Sequence, residues 1–405
     1  MGEAVNYIAL SIPVFFLLIG IEYLISKLRQ TNLYRFNDAI TNLSCGIGQQ
    51  VLGVFLKTVI VLLYVFVYDN YRLFTIPGGL LTGIALFIGI DFFYYWFHRL
   101  AHEISVLWGS HVVHHQSEEY NLTVALRQGW VQSVFSVFFY LPLAFLGFNP
   151  ILFLSINAFQ TLYQFWIHTR TIGKLPKPIE YIFNTPSHHR VHHGLNPKYI
   201  DRNHGGTLII FDRIFGTFQE EEEEVVYGVT QQPNSWNPLW LNIEYWAWMW
   251  HVFLKAQTWT DRWKVLFNEP GWQPAYLGGV SHPKPITPQT FHKYDTYIPM
   301  SLNYYVMVHY LVILAGATYF LFSADTMDAL AKTAITGLVI FSLIIIGAIF
   351  EKRRWVWVAE LLRLLLVAGI IGFVLHLPLI WVVVVCLFCA ASASWILPYK
   401  SLFQF

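Results

Sequence analysis

Nine apolar runs, each close to the length of a bilayer crossing, constrain this chain before anything else does. They cover residues 7–25, 47–68, 79–97, 130–148, 151–167, 298–322, 333–349, 355–375 and 377–396. A spanning helix needs about 20 apolar residues, and in hydrocarbon every backbone group must be paired within its own segment, which leaves helices as the economical answer. Composition agrees: 56% of the 405 residues are hydrophobic and only 12% charged, against about 25% charged in soluble domains. The fold expected is an all-α integral membrane protein, a polytopic helical bundle of about nine membrane segments. Runs 130–148 and 151–167 are separated only by Asn149–Pro150, a turn signal, so they form a helical hairpin that either crosses fully or re-enters. The formal net charge of +1 excludes a nucleic-acid partner. The expected partners are the bilayer and a lipid.

Residues 168–297 break the pattern. They are rich in Pro, Asn, Asp and Lys and read as a water-facing cap. "EEEEE" at 220–224 reads as a solvated loop. "WNPLWLNIEYWAWMWHVF" (236–253) is too aromatic for a plain surface helix and is expected along the membrane interface. Two domains follow: residues 1–297 as a membrane catalytic domain including the cap, and 298–405 as a four-helix transmembrane extension. Basic residues in "SKLRQ" after the first run and "EKRR" at 351–354 place both loops in the cytoplasm. Counting crossings from either one puts the cap on the cytoplasmic face. A bacterial inner membrane and an endoplasmic reticulum membrane both fit.

Histidines are distributed very unevenly in this greasy chain. Eleven of the 16 lie between His98 and His204. His98 and His102 stand at i and i+4. His111, His114 and His115 stand at i, i+3 and i+4, and His189, His192 and His193 repeat those offsets. On helices each set lies along one face. His168 closes the hairpin at the same membrane depth as His98. Neutral imidazole is a good donor to divalent iron, zinc and copper, and nine imidazoles exceed one tetrahedral zinc. They suit two ions with positions left for a ligand. Glu103 and Asp91, on the helix that carries the first box, are candidate catalytic carboxylates that would accept imidazole N–H groups. His188 and His204 fall outside the repeat. Ser187 or Thr185 is expected to cap the turn that carries the third box. "QSEEYN" (116–121) finds no assignment beyond contacts near the metals or a lipid headgroup. The CxxC of Cys386 and Cys389 sits inside an apolar run, where cysteine is a small hydrophobe.

The three boxes HxxxH, HxxHH and HxxHH resemble those of the fatty acid hydroxylase / sterol desaturase superfamily. Within it, "NTPSHHRVHHGLNPKYIDRNHGG" (184–206), "FDRIFGTFQ", "VVYGVT" and "NEPGWQP" look like the alkylglycerol monooxygenase branch, which also carries an additional hydrophobic region after residue 297. His204 departs from that pattern, which would have Tyr there. The resemblance implies a non-haem diiron site (two Fe, with zinc able to substitute), O2 as co-substrate and tetrahydrobiopterin as reductant. The implied reaction hydroxylates the carbon next to the ether oxygen of an alkylglycerol and releases a fatty aldehyde and a glycerol derivative. Alternatives are another lipid oxidation of the superfamily, on a sterol or a fatty acyl chain, or a different class, a metal transporter or membrane zinc hydrolase. A transporter should carry ionisable residues in several spans, and the C-terminal runs carry few.

Overall fold

The structure is a computed structural model that describes residues 7–280, 286–370 and 378–403. Among the described residues fifteen α-helices appear in chain order: α1 (Tyr7–Leu28), α2 (Phe36–Tyr71), α3 (Leu80–Glu103), α4 (Ser105–His115), α5 (Gln132–Leu146), α6 (Pro150–Trp166), α7 (Lys177–Ile182), α8 (Pro186–His192), α9 (Ile210–Ile214), α10 (Pro238–Lys255), α11 (Trp259–Phe267), α12 (Met300–Ser323), α13 (Ala329–Phe350), α14 (Val356–Gly369) and α15 (Leu379–Ile396). Among the described residues there is no strand, only two isolated bridges, Phe183–Leu208 and Gly194–Tyr227. The all-α expectation therefore holds.

Among the described residues six helical stretches are long and apolar enough to cross a bilayer: Leu10–Leu28, Phe36–Tyr71, Leu80–Glu103, Met300–Thr326, Ala329–Phe350 and Leu379–Phe403. The chain is an integral membrane protein. The hairpin helices α5 and α6 are shorter, at 15 and 17 residues. Asn149 caps α6 through its side chain, which accepts from the N–H groups of Ile151 and Leu152, as the Asn–Pro pair demands. The hairpin tip sits against the turn between α2 and α3: Leu73 N–H donates to the Phe145 carbonyl at 2.7 Å. Gly147, at φ 105°, passes so close to Phe74 that no Cβ would fit. The expected turn at residues 377–378 lies partly outside the described residues.

Two apolar cores hold the spans. One packs Tyr64 and Val67 of α2 with Leu86 and Ile90 of α3, Tyr140 and Leu143 of α5 and Phe153 of α6. The other joins α12 to α15 but also takes in Ile40 and Val51 of α2 and Trp236 of the cap. The C-terminal helices thus share a core with the N-terminal part of the chain. α10 starts where α13 ends: Gly347 lets the backbone of Trp236 and Asn237 approach too closely for any side chain. Glu351 there accepts from Ser235 Oγ and from Trp236 N–H at 2.6 Å.

Candidate metal centre

Each box keeps its one-face spacing. His98 and His102 occupy the last turns of α3. His111, His114 and His115 end α4, and His189, His192 and His193 lie on and just after α8. His168 follows α6 directly. The nine rings converge into two groups. One comprises His98, His102, His111, His115 and His192; the other comprises His114, His168, His189 and His193. Within each group one ligand atom per residue lies within 4.8 Å of every other. All nine residues are buried. The offsets explain the partition. In the second box the i and i+4 residues join the five-membered group and the i+3 residue joins the other. In the third box the i and i+4 residues join the four-membered group and the i+3 residue joins the first. A helical turn with rings at i, i+3 and i+4 therefore straddles two positions.

The proton positions show what belongs between the rings. A carbonyl oxygen can only accept, so a ring nitrogen bonded to one must carry the proton. His98 Nδ1 donates to the His204 carbonyl (2.8 Å), His114 Nδ1 to Arg127 (2.8 Å), His168 Nδ1 to Gln164 (2.7 Å) and His192 Nδ1 to Arg202 (2.9 Å). His111 Nδ1 donates to Gln132 Oε1 at 2.8 Å. In neutral rings this leaves bare lone pairs on Nε2. Yet His98 Nε2 and His111 Nε2 are 2.9 Å apart, and His114 Nε2 and His168 Nε2 are 3.2 Å apart. His102, His192 and His193 have buried Nε2 atoms with no partner. Lone pairs facing one another at this distance repel unless a cation lies between them, so this donor set fits two metal ions. Burial holds the rings neutral: it pushes His111 down to about 4 and His168 down to about 3. An all-imidazole set suits iron, zinc or copper rather than magnesium or calcium.

The two candidate carboxylates do not meet an imidazole N–H here. Glu103 Oε1 accepts from Arg99 Nε at 2.8 Å one turn away. Asp91 accepts the backbone N–H groups of Thr207 and Leu208 at 2.8 and 2.9 Å. Asp91 therefore anchors the 204–208 loop, whose His204 carbonyl receives the His98 proton. Asp212 grips the same loop through the N–H groups of His204 and Gly205. A carboxylate that does face one of the nine rings is Asp201, with Oδ1 3.4 Å from His102 Nδ1. Gln132 and Asp201 were not legible as partners, because each reaches its histidine only through folding. His188 turns away and pairs with Glu180 at 3.1 Å. His204 is fully buried beside the five-histidine group but stands outside it.

Other expectations are corrected. Thr185 does occupy the N-cap of α8, but its side chain makes no capping bond; Thr185 Oγ1 donates to Glu180 instead. The glutamate run is not simply solvated: Glu221 receives Arg190 of the third box through two bonds of 2.7 Å. In "QSEEYN", Glu118 and Glu119 bind Arg35, and Glu119 also binds Lys293. Asn121 donates to the Leu33 carbonyl. These residues clamp the α1–α2 linker and the chain before α12 to the site.

The sequence profile of the fatty acid hydroxylase family matches residues 83–217, which contain all nine histidines. A second profile, the alkylglycerol monooxygenase C-terminal domain, matches residues 302–382. The chain is 40% identical to the alkylglycerol monooxygenase of Xenopus tropicalis over 366 residues, covering 89% of this chain and 81% of that protein. The chain belongs to the alkylglycerol monooxygenase family. The Homo sapiens member is 36% identical, over 90% of this chain and 82% of its own. The Danio rerio member is 35% identical over 90% and 82%. No solved structure matches the chain significantly. Family membership and the donor set together point to iron at the two histidine groups.

Proposed function

We propose that this chain is an O2-dependent diiron monooxygenase that cleaves ether lipids. The observation that carries this reading is that two different cavities reach the histidines. One, of about 340 Å³, runs among the spanning helices and ends on His111, His114 and His168. The other, of about 540 Å³, lies in the cap and touches His102, His115, His192 and His193. A lipid fits the first and a water-soluble reductant the second.

The two histidine groups would hold two iron ions, which supply O2 activation. The protein's part is positional. α1 and α12 line the slot with Ile12, Phe15, Phe16, Leu314 and Leu321, which suit an alkyl chain. Gln128, Gln132 and Gln164 line it with amides able to bond a glycerol head. Gln132 holds His111 as it does so. The carbon beside the ether oxygen joins the apolar chain to the polar head, so it lies where these two linings meet. Overall, R–CH2–O–R′ takes up O2, two protons and two electrons to give R–CH(OH)–O–R′ and water; the hemiacetal then breaks its C–O bond to give R–CHO and R′–OH. Tetrahydrobiopterin fits as the electron donor, because the cap cavity offers Trp108 and Trp248 for a planar ring and Glu244 and Glu269 for its N–H groups. Zinc could occupy the same nitrogens but supplies no electrons.

The cap belongs on the cytoplasmic side. Basic residues in the last turn of α1 (Lys27), just after it (Arg29) and after α13 (Lys352, Arg353) lie at helix ends joined to the cap through Thr169–Glu22 and Ser235–Glu351, as expected for retained positive charge. The test is direct. Purified protein with ferrous iron should convert hexadecylglycerol to hexadecanal only with both O2 and tetrahydrobiopterin. Aldehyde formed without O2 sinks the oxygenase reading.

A further inference from the structure

The slot lining includes a lysine that the reaction does not require. Along α2 the slot is lined by Leu43, Gly46, Ile47, Gln50 and Lys57, offsets of 3, 4, 7 and 14 that form one helix face. The lower end of this face is at histidine level: Asn42 bonds Arg127, whose carbonyl receives the His114 proton. Lys57 stands eleven residues above Gly46, a rise of about 16 Å. It is ten residues from Val67, after which Tyr68, Asp69 and Asn70 mark the far end of the span. That separation is about 15 Å, half of a hydrocarbon core about 30 Å thick. Lys57 is therefore rooted near the bilayer midplane.

An ammonium there is costly, and intramembrane charges usually pair with an opposite charge or mark a ligand path. Among the described residues no carboxylate pairs with Lys57, and its side chain is exposed along α2 at the open side of the slot. Its partner is neutral: Nζ donates to Gln50 Oε1 at 2.9 Å. Gln50 in turn donates to Gln49 Oε1 at 3.1 Å, so the ammonium is drawn down the slot towards the histidines and held by an amide pair. Close packing assists, because Gly53 leaves room for the Lys57 stem to lie along α2.

We infer that Lys57 and Gln50 form an anion subsite at the open side of the lipid slot, which takes the charged head of a single-chain amphiphile. The anion is either the phosphate of an alkylglycerol phosphate or the carboxylate of a fatty acid. Both present a compact oxyanion on one alkyl chain, and both supply the charge that the slot lacks. The subsite makes the slot selective for anionic over neutral lipids. The inference shares the slot with the proposed substrate site but not its chemistry, so it is tested by binding alone.

The experiment measures equilibrium binding of radiolabelled hexadecylglycerol, hexadecylglycerol 3-phosphate and palmitate to the purified full chain, without O2 or reductant. The wild type should bind at least one anionic ligand about tenfold more tightly than hexadecylglycerol. Lys57→Met should bring that ratio to near one, and Lys57→Arg should keep it. Phosphate preference alone identifies a phosphoester head, and palmitate preference alone a carboxylate. Lys57→Gln, which retains a polar side chain, is the second variant and should also lose the ratio. A wild type that does not discriminate, or a folded Lys57→Met or Lys57→Gln that still does, overturns the subsite. Loss of oxygenase activity would not affect these ratios.

Discussion

His114 Nε2 and His168 Nε2 face each other across 3.2 Å while the Nδ1 of each is committed to a backbone carbonyl. Neither can donate to the other, so only a cation relieves the contact. His114→Ala and His168→Ala should each lower aldehyde formation by more than about 100-fold and reduce bound iron, with circular dichroism unchanged. His188→Ala, which breaks the Glu180 pair and a 3.4 Å contact with Thr185 but touches neither histidine group's donor atoms, should keep its iron. Equal iron loss in His188→Ala would contradict the division of the histidines described above.

Gln132 orients His111 from α5, the next α-helix in sequence. Gln132→Leu keeps the volume and removes the acceptor. Metal affinity at the five-histidine group should fall by about 10–100-fold, read by competition with a chelator. Asp201→Asn, on the more distant His102 contact, should have the smaller effect. The reverse order would mean that the 3.4 Å Asp201 contact is the stronger restraint.

Gly46 lies against the Leu126 carbonyl so closely that a Cβ would overlap it. The next residue, Arg127, supplies the carbonyl for His114. Gly46→Ala should therefore push this loop away, destabilise the protein by about 1–3 kcal/mol and weaken iron binding together with stability. Thermal melts and iron content of the same preparation would check both.

Arg363 and Glu360 are buried in the extension and joined at 2.6 Å, with His309 receiving the other arm of Arg363 at 2.8 Å and Tyr305 donating to Glu360. Arg363→Met leaves a buried carboxylate with only the Tyr305 hydroxyl as partner, and should cost about 3–5 kcal/mol. Glu360→Leu combined with Arg363→Met should recover most of that loss. A single variant as stable as the wild type would show that water reaches the pair.

The membrane class, the three boxes and all nine convergent histidines were legible because they rest on local rules: apolar run length and ring spacing along a helix. His168 was legible from the hairpin, since a chain that goes out and returns must end near its start. The hydrogen-bond partners were not. Asp91 and Glu103 share a helix with His98 and His102, yet their oxygens turn to the 204–208 loop and to Arg99. The acceptors that hold the rings are mostly backbone carbonyls, which every residue has and no sequence pattern marks.

By itself, then, the sequence determined that this chain spans a membrane and gathers imidazoles on helical faces, because hydropathy and periodicity are properties of neighbouring residues. The tertiary structure alone decided how nine rings divide into five and four, which carbonyls hold their protons, and that Lys57 of α2 shares a cavity with the histidines. Those relations depend on segments more than a hundred residues apart being packed together, and packing is set by the whole bundle at once.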